Sequence, residues 1–306
     1  MKKKIVFMGT PEFSIETLKV LANSDYILEC VYTQPPKKKS RGQKILPSPI
    51  QIAGEKLGLK VRNPKTLNDK KEYEYFKSIN PYIVIVVAYG NIIPKNYLNL
   101  PQKGFINIHA SLLPRWRGAA PIQRSIINQD SETGVSFMKI EEKLDTGPYM
   151  KQIKIKIEKE TTAKILSKKL SKLGADNILE CLNLIENGQE KFIEQDNSKV
   201  TYAKKIIKSE SKINWSHSAD EILSRINGLN PTPGAWFEYM GLKYKIWKAE
   251  ISDITGNPGE VLSRNLIIAC KKKSLKIIEI QKEGKNKLSA EEFIMGTKIP
   301  EKTIIS

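Results

Sequence analysis

The chain has 306 residues, 40% of them apolar, with 51 Lys and Arg against 33 Asp and Glu and a formal net charge of +18. That length exceeds one ordinary domain and predicts two. The charge surplus draws polyanions, nucleic acid first among them, unless the lysines only decorate solvated faces. Cys30, Cys181 and Cys270 lie far apart and form no metal-ligand spacing, which predicts buried thiols in a reducing cytoplasm. After the basic start Met1-Lys2-Lys3-Lys4, only residues 5–8 are apolar before Gly9. This excludes a signal h-region or membrane span at the start, so the expected location is cytoplasmic.

In chain order, 5–8 reads as a buried strand and Gly9-Thr10-Pro11 as a tight turn, followed by helix-spaced Ile15, Leu18 and Leu21. A single Gly9 does not make a dinucleotide fingerprint; chain reversal is its expected role. Residues 26–33 predict a second strand. After a long loop come a helix over 50–57, a short strand at 59–61 and a helix over 69–79. The run 82–88 is continuously apolar and β-branched, as a central strand covered on both faces should be. Further strands are expected at Phe105–His109 and 135–140, and a helix over 163–185 ending near Gly188. The alternation predicts a doubly wound, mostly parallel α/β sheet of the Rossmann-like kind. Residues 190–207 are polar and read as a linker between domains at 1–189 and 208–306. Beyond it lie a short helix at 219–226 and five short strands at 235–239, 242–247, 260–262, 266–270 and 275–281, which suggest a small OB-like β-barrel.

The densest chemistry lies between Asn107 and Arg124. On a strand, Asn107 and His109 project from one face, and at its carboxyl end they sit where open α/β sheets place ligands. An amide donor beside an imidazole suits a developing oxyanion. The same pair could merely satisfy loop backbone, but the chain holds only one other histidine, His217. Leu144-Asp145-Thr146-Gly147-Pro148 is a turn that can aim a carboxylate inward, or a plain Asp turn.

These residues resemble the formyltetrahydrofolate-dependent formyltransferases, whose motif pairs N-x-H-x-S-L-L-P with a later D-T-G. The likeness continues through Phe7-Met8-Gly9-Thr10-Pro11-Glu12-Phe13, Thr33-Gln34-Pro35, Val86-Val87-Ala88-Tyr89-Gly90, Arg115-Trp116-Arg117-Gly118-Ala119-Ala120-Pro121 and Val200-Thr201-Tyr202-Ala203. It covers nearly the whole chain and is least specific over the last forty or so residues. The resemblance implies Asn107, His109 and Asp145 as the catalytic trio and Ser111, Leu112, Leu113 and Pro114 as the folate-contacting segment. It also implies a pterin pocket lined by backbone at 87–90 and 141–145. 10-Formyltetrahydrofolate is the implied co-substrate, with no metal. The implied acceptor is methionyl initiator tRNA, for translation initiation, held partly by the second domain and partly by the loop 33–48. The expected protein is a monomer.

In the chemistry so implied, a methionyl α-amine, with an ordinary pKa of about 7.7–8.0 lowered by its ester, attacks the formyl carbon. Asp145, with His109 or a water, then takes the proton from the adduct, and Asn107 and His109 hold the negative oxygen. Lys37, Lys38, Lys39, Arg41 and Lys44 put five basic groups into eight residues, fit for phosphate contacts, with Arg41 the sharpest candidate. Charge does not mark the second domain as RNA-binding. Trp215, Trp236 and Trp247 could stack on bases or fill the core. Formyl transfer to another amine, a folate hydrolase and an inactive RNA-binding protein are the competing readings; the basic loop and the second domain disfavour the first, and the intact trio the last.

Overall fold

The computed structural model describes residues 2–39 and 44–306. Compactness divides the chain into two units. One takes residues 1–118, 133–155 and 167–202; the other takes 119–132, 156–166 and 203–306.

The first unit is built on a seven-stranded sheet, in the order Tyr149–Lys156, Glu132–Lys139, Phe105–His109, Ile83–Val87, Lys4–Gly9, Ile27–Tyr32 and Val61–Arg62. The last five are mutually parallel, and Glu132–Lys139 runs antiparallel to Phe105–His109. This is the mostly parallel α/β sheet that the sequence predicts. Ile83–Val87 is buried at every position because both faces of the sheet are covered. On one face, Val6, Met8, Tyr32, Val84, Val86, Phe76, Tyr97 and Phe105 form a continuous core. Burial of each such side chain contributes about 1.5–3 kcal/mol. On the other face the long helix Ala163–Glu186 comes close: a Cβ on its Gly174 would stand 2.9 Å from Ile108 Cγ2. Ile108 therefore points at that helix, and strand alternation sends Phe105, Asn107 and His109 to the opposite face.

The helices start where their sequences place a cap. Ser48 Oγ accepts from Gln51 N at 2.9 Å with Pro49 opening the helix Pro49–Lys56, and Asp69 caps Lys70–Ile79. The long loop expected after residue 33 contains a hairpin, Lys37–Lys39 against Lys44–Leu46. Arg41 lies outside the described residues.

The second unit holds an antiparallel sheet in the order Trp236–Tyr239, Leu242–Ser252, Ser274–Lys282, Ile267–Ala269 and Val261–Ser263, with Lys287–Ser289 also paired to Ser274–Lys282. It curls as a half-barrel around Phe237, Tyr244, Ile246, Ile268, Ile277 and Ile280. The helix Ala219–Gly228 closes this core and opens on a capping box, Ser218 with Glu221. The helix Pro121–Ile127 joins the same unit because Gly228 lets it approach: a Cβ there would meet Ile127 Cγ1 at 2.6 Å. Trp215 is core, edge-on to Phe237 at 6.0 Å. Trp236 and Trp247 are half-buried, with the ammonium groups of Lys243 and Lys245 lying 4.7 and 5.5 Å from their respective rings. Among the described residues no helix is long and apolar enough to cross a membrane.

Candidate active site

His109 is the last residue of its strand and is buried. Nε2 lies 2.9 Å from the carbonyl of Trp116. A carbonyl only accepts, so Nε2 carries a proton and donates it to that oxygen. Nδ1 faces Asp145 Oδ2 across 3.7 Å. The same carboxylate oxygen accepts the backbone N–H of Gly118 at 2.8 Å. Asp145 has a φ of 53°, in the left-handed region, where a non-glycine residue is held by its surroundings. Asn107 is half-buried on the His109 face, and its side chain has no hydrogen-bond partner among the described residues. The structure thus brings together His109 and Asp145, which local sequence alone does not relate, and sets Asn107 one strand repeat away.

The segment Ser111–Pro114 leaves this strand with Ser111 and Leu113 buried and Leu112 and Pro114 half-exposed. Its backbone is pinned from the neighbouring strand. Ser136 Oγ donates to Ser111 O at 2.6 Å and accepts from Leu113 N at 3.1 Å, while Gln152 Nε2 donates to Leu113 O at 2.7 Å. At the exit of Ile83–Val87, Ser14 Oγ donates to Val87 O at 2.6 Å and Thr10 Oγ1 to Tyr89 O at 2.7 Å. Those bonds leave Ala88 and Gly90 exposed, at positive φ of 48° and 80°. A cleft of about 970 Å³ is lined by Leu98, Phe105 and Ile140 on its apolar side and by Glu141, Glu142 and Lys143 of the loop that leads to Asp145. His109 and Asp145 are not among its lining residues.

Of the basic group, Lys37 and Lys38 lie on the first strand of the hairpin and Lys44 opens the second; all three are exposed, and Lys39 pairs with Lys44 through the backbone. Two residues around Asp145 carried no role in the sequence reading. Gln195 lies inside the stretch read as a polar linker, and Arg117 lies within a motif that gave it no task. Both are buried, and Arg117 Nε donates to Gln195 Oε1 at 2.9 Å. No local pattern marks either, because their partners are distant in sequence.

A family model described as formyl transferase matches residues 3–182, and one described as formyl transferase, C-terminal domain, matches residues 205–298. The chain belongs to the formyl transferase family. It is 54% identical to the methionyl-tRNA formyltransferase of Pelagibacter ubique (strain HTCC1062) over 301 residues, which cover 98% of this chain and 97% of that one. It is 41% identical to the methionyl-tRNA formyltransferase of Bradyrhizobium diazoefficiens, with 97% of each chain covered. Among solved structures it resembles an N-formyltransferase from Helicobacter canadensis in complex with folinic acid and dTDP-3-aminofucose. That match has a TM-score of 0.69 at 19% identity and covers 92% of this chain and all of that one. HypX from Aquifex aeolicus in complex with tetrahydrofolic acid matches with a TM-score of 0.67 at 14% identity, covering 97% of this chain and 48% of that one. These two likenesses concern the fold alone.

Proposed function

We propose that the protein transfers the formyl group of 10-formyltetrahydrofolate to the free amino group of methionyl initiator tRNA, in the cytoplasm and as a monomer. The observation that carries the chemistry is His109 Nδ1 facing the Asp145 carboxylate across 3.7 Å, with the other ring nitrogen tied to Trp116 O. Once the α-amine has attacked the formyl carbon, the proton it sheds passes to this pair; the adduct then collapses with cleavage of the bond to the folate N10, which takes up a proton and leaves as tetrahydrofolate. The unpartnered amide of Asn107 donates to the oxygen on which negative charge collects, and the protonated imidazole supports it from the same strand face. Residues 1–189 carry this chemistry. Leu112 and Pro114, with Ser111 and Leu113 fixing the backbone beneath them, contact the folate, and the exposed Ala88 and Gly90 with the loop 141–145 border its pterin.

Lys37, Lys38, Lys39, Arg41 and Lys44 contact the acceptor-stem phosphates, and residues 208–306 hold the body of the tRNA. The deciding experiment offers 10-formyltetrahydrofolate with charged initiator tRNA, charged elongator tRNA or a glycinamide ribonucleotide. Formyl-methionyl product from the first alone is the expected result. Formylation of the ribonucleotide, or release of formate with no acceptor, would overturn the assignment. Arg41→Ala is expected to raise KM for tRNA and leave folate affinity unchanged.

A further inference from the structure

The turn that presents Asp145 is held from behind by one side chain. The amide nitrogen of Gln195 donates to Asp145 O at 2.9 Å and to Gly147 O at 2.7 Å. Its oxygen accepts from Arg117 Nε at 2.9 Å, and Arg117 Nη2 donates to Asn197 Oδ1 at 3.2 Å. A glutamine amide has two N–H donors and one carbonyl oxygen. Both donors and the oxygen of Gln195 are committed, so its rotamer is fixed by three partners on two segments of chain. Arg117 and Gln195 are 4% and 6% exposed, so solvent does not compete for these bonds. The grip is double: Gly118 holds the Asp145 carboxylate by its N–H, and the adjacent Arg117 holds the Asp145 backbone through Gln195. Gly147 closes the turn on its far side, where a Cβ would stand 2.1 Å from Lys139 O.

We propose that Gln195, braced by Arg117, is a positioning residue for formyl transfer: it clamps the carbonyls of Asp145 and Gly147 so that the Asp145 carboxylate stands against His109 Nδ1. This rests on the reading of His109 and Asp145 as the proton-accepting pair. Gln195 acts only through Asp145. Its loss therefore displaces a reacting group while leaving the Ser111–Pro114 segment and the surfaces that bind tRNA in place, and a displacement near 1 Å costs about 100-fold in rate.

The test is a double-mutant cycle in the full-length enzyme with 10-formyltetrahydrofolate and charged initiator tRNA. Gln195→Glu is nearly isosteric; it keeps an oxygen for Arg117 and replaces both donors with an acceptor. It is expected to lower kcat roughly 10- to 100-fold while KM for charged tRNA stays within about twofold. In an Asp145→Ala background the same change is expected to lower single-turnover rates no further, because the two residues act as one unit. Arg117→Lys, which cannot reach Gln195 and Asn197 through one planar fork, should shift kcat in the same direction with the same non-additivity. It decides the question if Gln195→Glu does not fold. Wild-type kcat in the Gln195 and Arg117 variants, or a loss that multiplies with that of Asp145→Ala, overturns the positioning role. Wild-type turnover in Asp145→Ala alone would instead remove the proton-accepting pair, so the two failures are told apart.

Discussion

The hydroxyl of Ser136 donates to the carbonyl of Ser111 at 2.6 Å, wholly out of solvent. It ties the antiparallel strand Glu132–Lys139 to the first turn after His109. Ser136→Ala leaves that carbonyl and the Leu113 N–H buried without this partner, and each such group costs about 1–3 kcal/mol. Urea unfolding should show that loss, and titration of tryptophan fluorescence with folate should show weaker binding. An unchanged folate Kd would mean that Ser111–Pro114 does not form the folate site.

Alanine at Asn107, His109 or Asp145 is expected to cut turnover by about 100- to 1000-fold, the scale set by removing one preorganised donor or proton acceptor. Binding of charged tRNA, read by filter retention, should hardly move. Wild-type turnover in any of the three discredits that residue.

Gly147 has no room for a side chain, because the atom it would strike is the backbone oxygen of Lys139, which cannot swing aside. Gly147→Ala should destabilise the fold by about 1–3 kcal/mol and, by moving the turn, depress kcat more than KM. A variant with the native melting temperature and native kcat contradicts that geometry.

How much of this was legible in the sequence depends on whether the cause was local. Ile83–Val87 and Phe105–His109 announce themselves by unbroken apolar character, and the helix Ala163–Glu186 by apolar spacing. The helix Pro121–Ile127 has only seven residues and was absorbed into a motif, while the hairpin strand Lys37–Lys39 is all lysine and carries no apolar alternation. The edge strand Tyr149–Lys156 is half-exposed along most of its length, so it lacks the buried signature of its neighbours. Gln195 meets Asp145 50 positions away and Arg117 78 positions away, and such pairings leave no periodic trace.

Acid should weaken the first unit through Glu72. Its carboxylate accepts from Tyr32 Oη at 2.6 Å and from Arg62 Nε at 2.7 Å. Burial pushes the carboxyl up, but the bonds from Arg62 and Tyr32 outweigh it and leave the group below its ordinary value. A depressed folded value means that this stabilisation is present above the unfolded pKa of about 4.3 and fades as pH falls through the folded one. Glu72→Gln should therefore unfold at lower urea than wild type at pH 7, with the gap shrinking below about pH 4. A gap independent of pH would show that the carboxylate charge contributes nothing.

The three thiols should be inert in the native state. Burial pushes Cys30, Cys181 and Cys270 up to about 12 each. At pH 8 Ellman's reagent should label none of them at the rate of a free thiol, and all three once guanidinium is added.

The chain passes between its two units five times, at 118/119, 132/133, 155/156, 166/167 and 202/203. The two matched family segments, by contrast, are separated by a single junction, between residues 182 and 205. A chimera spliced there would take Gly228 away from Ile127, the helix neighbour it was shaped to admit. Swapping tails among relatives at that junction therefore calls for transplanting 119–132 and 156–166 as well, because inheritance along the polypeptide and cohesion in space follow different borders.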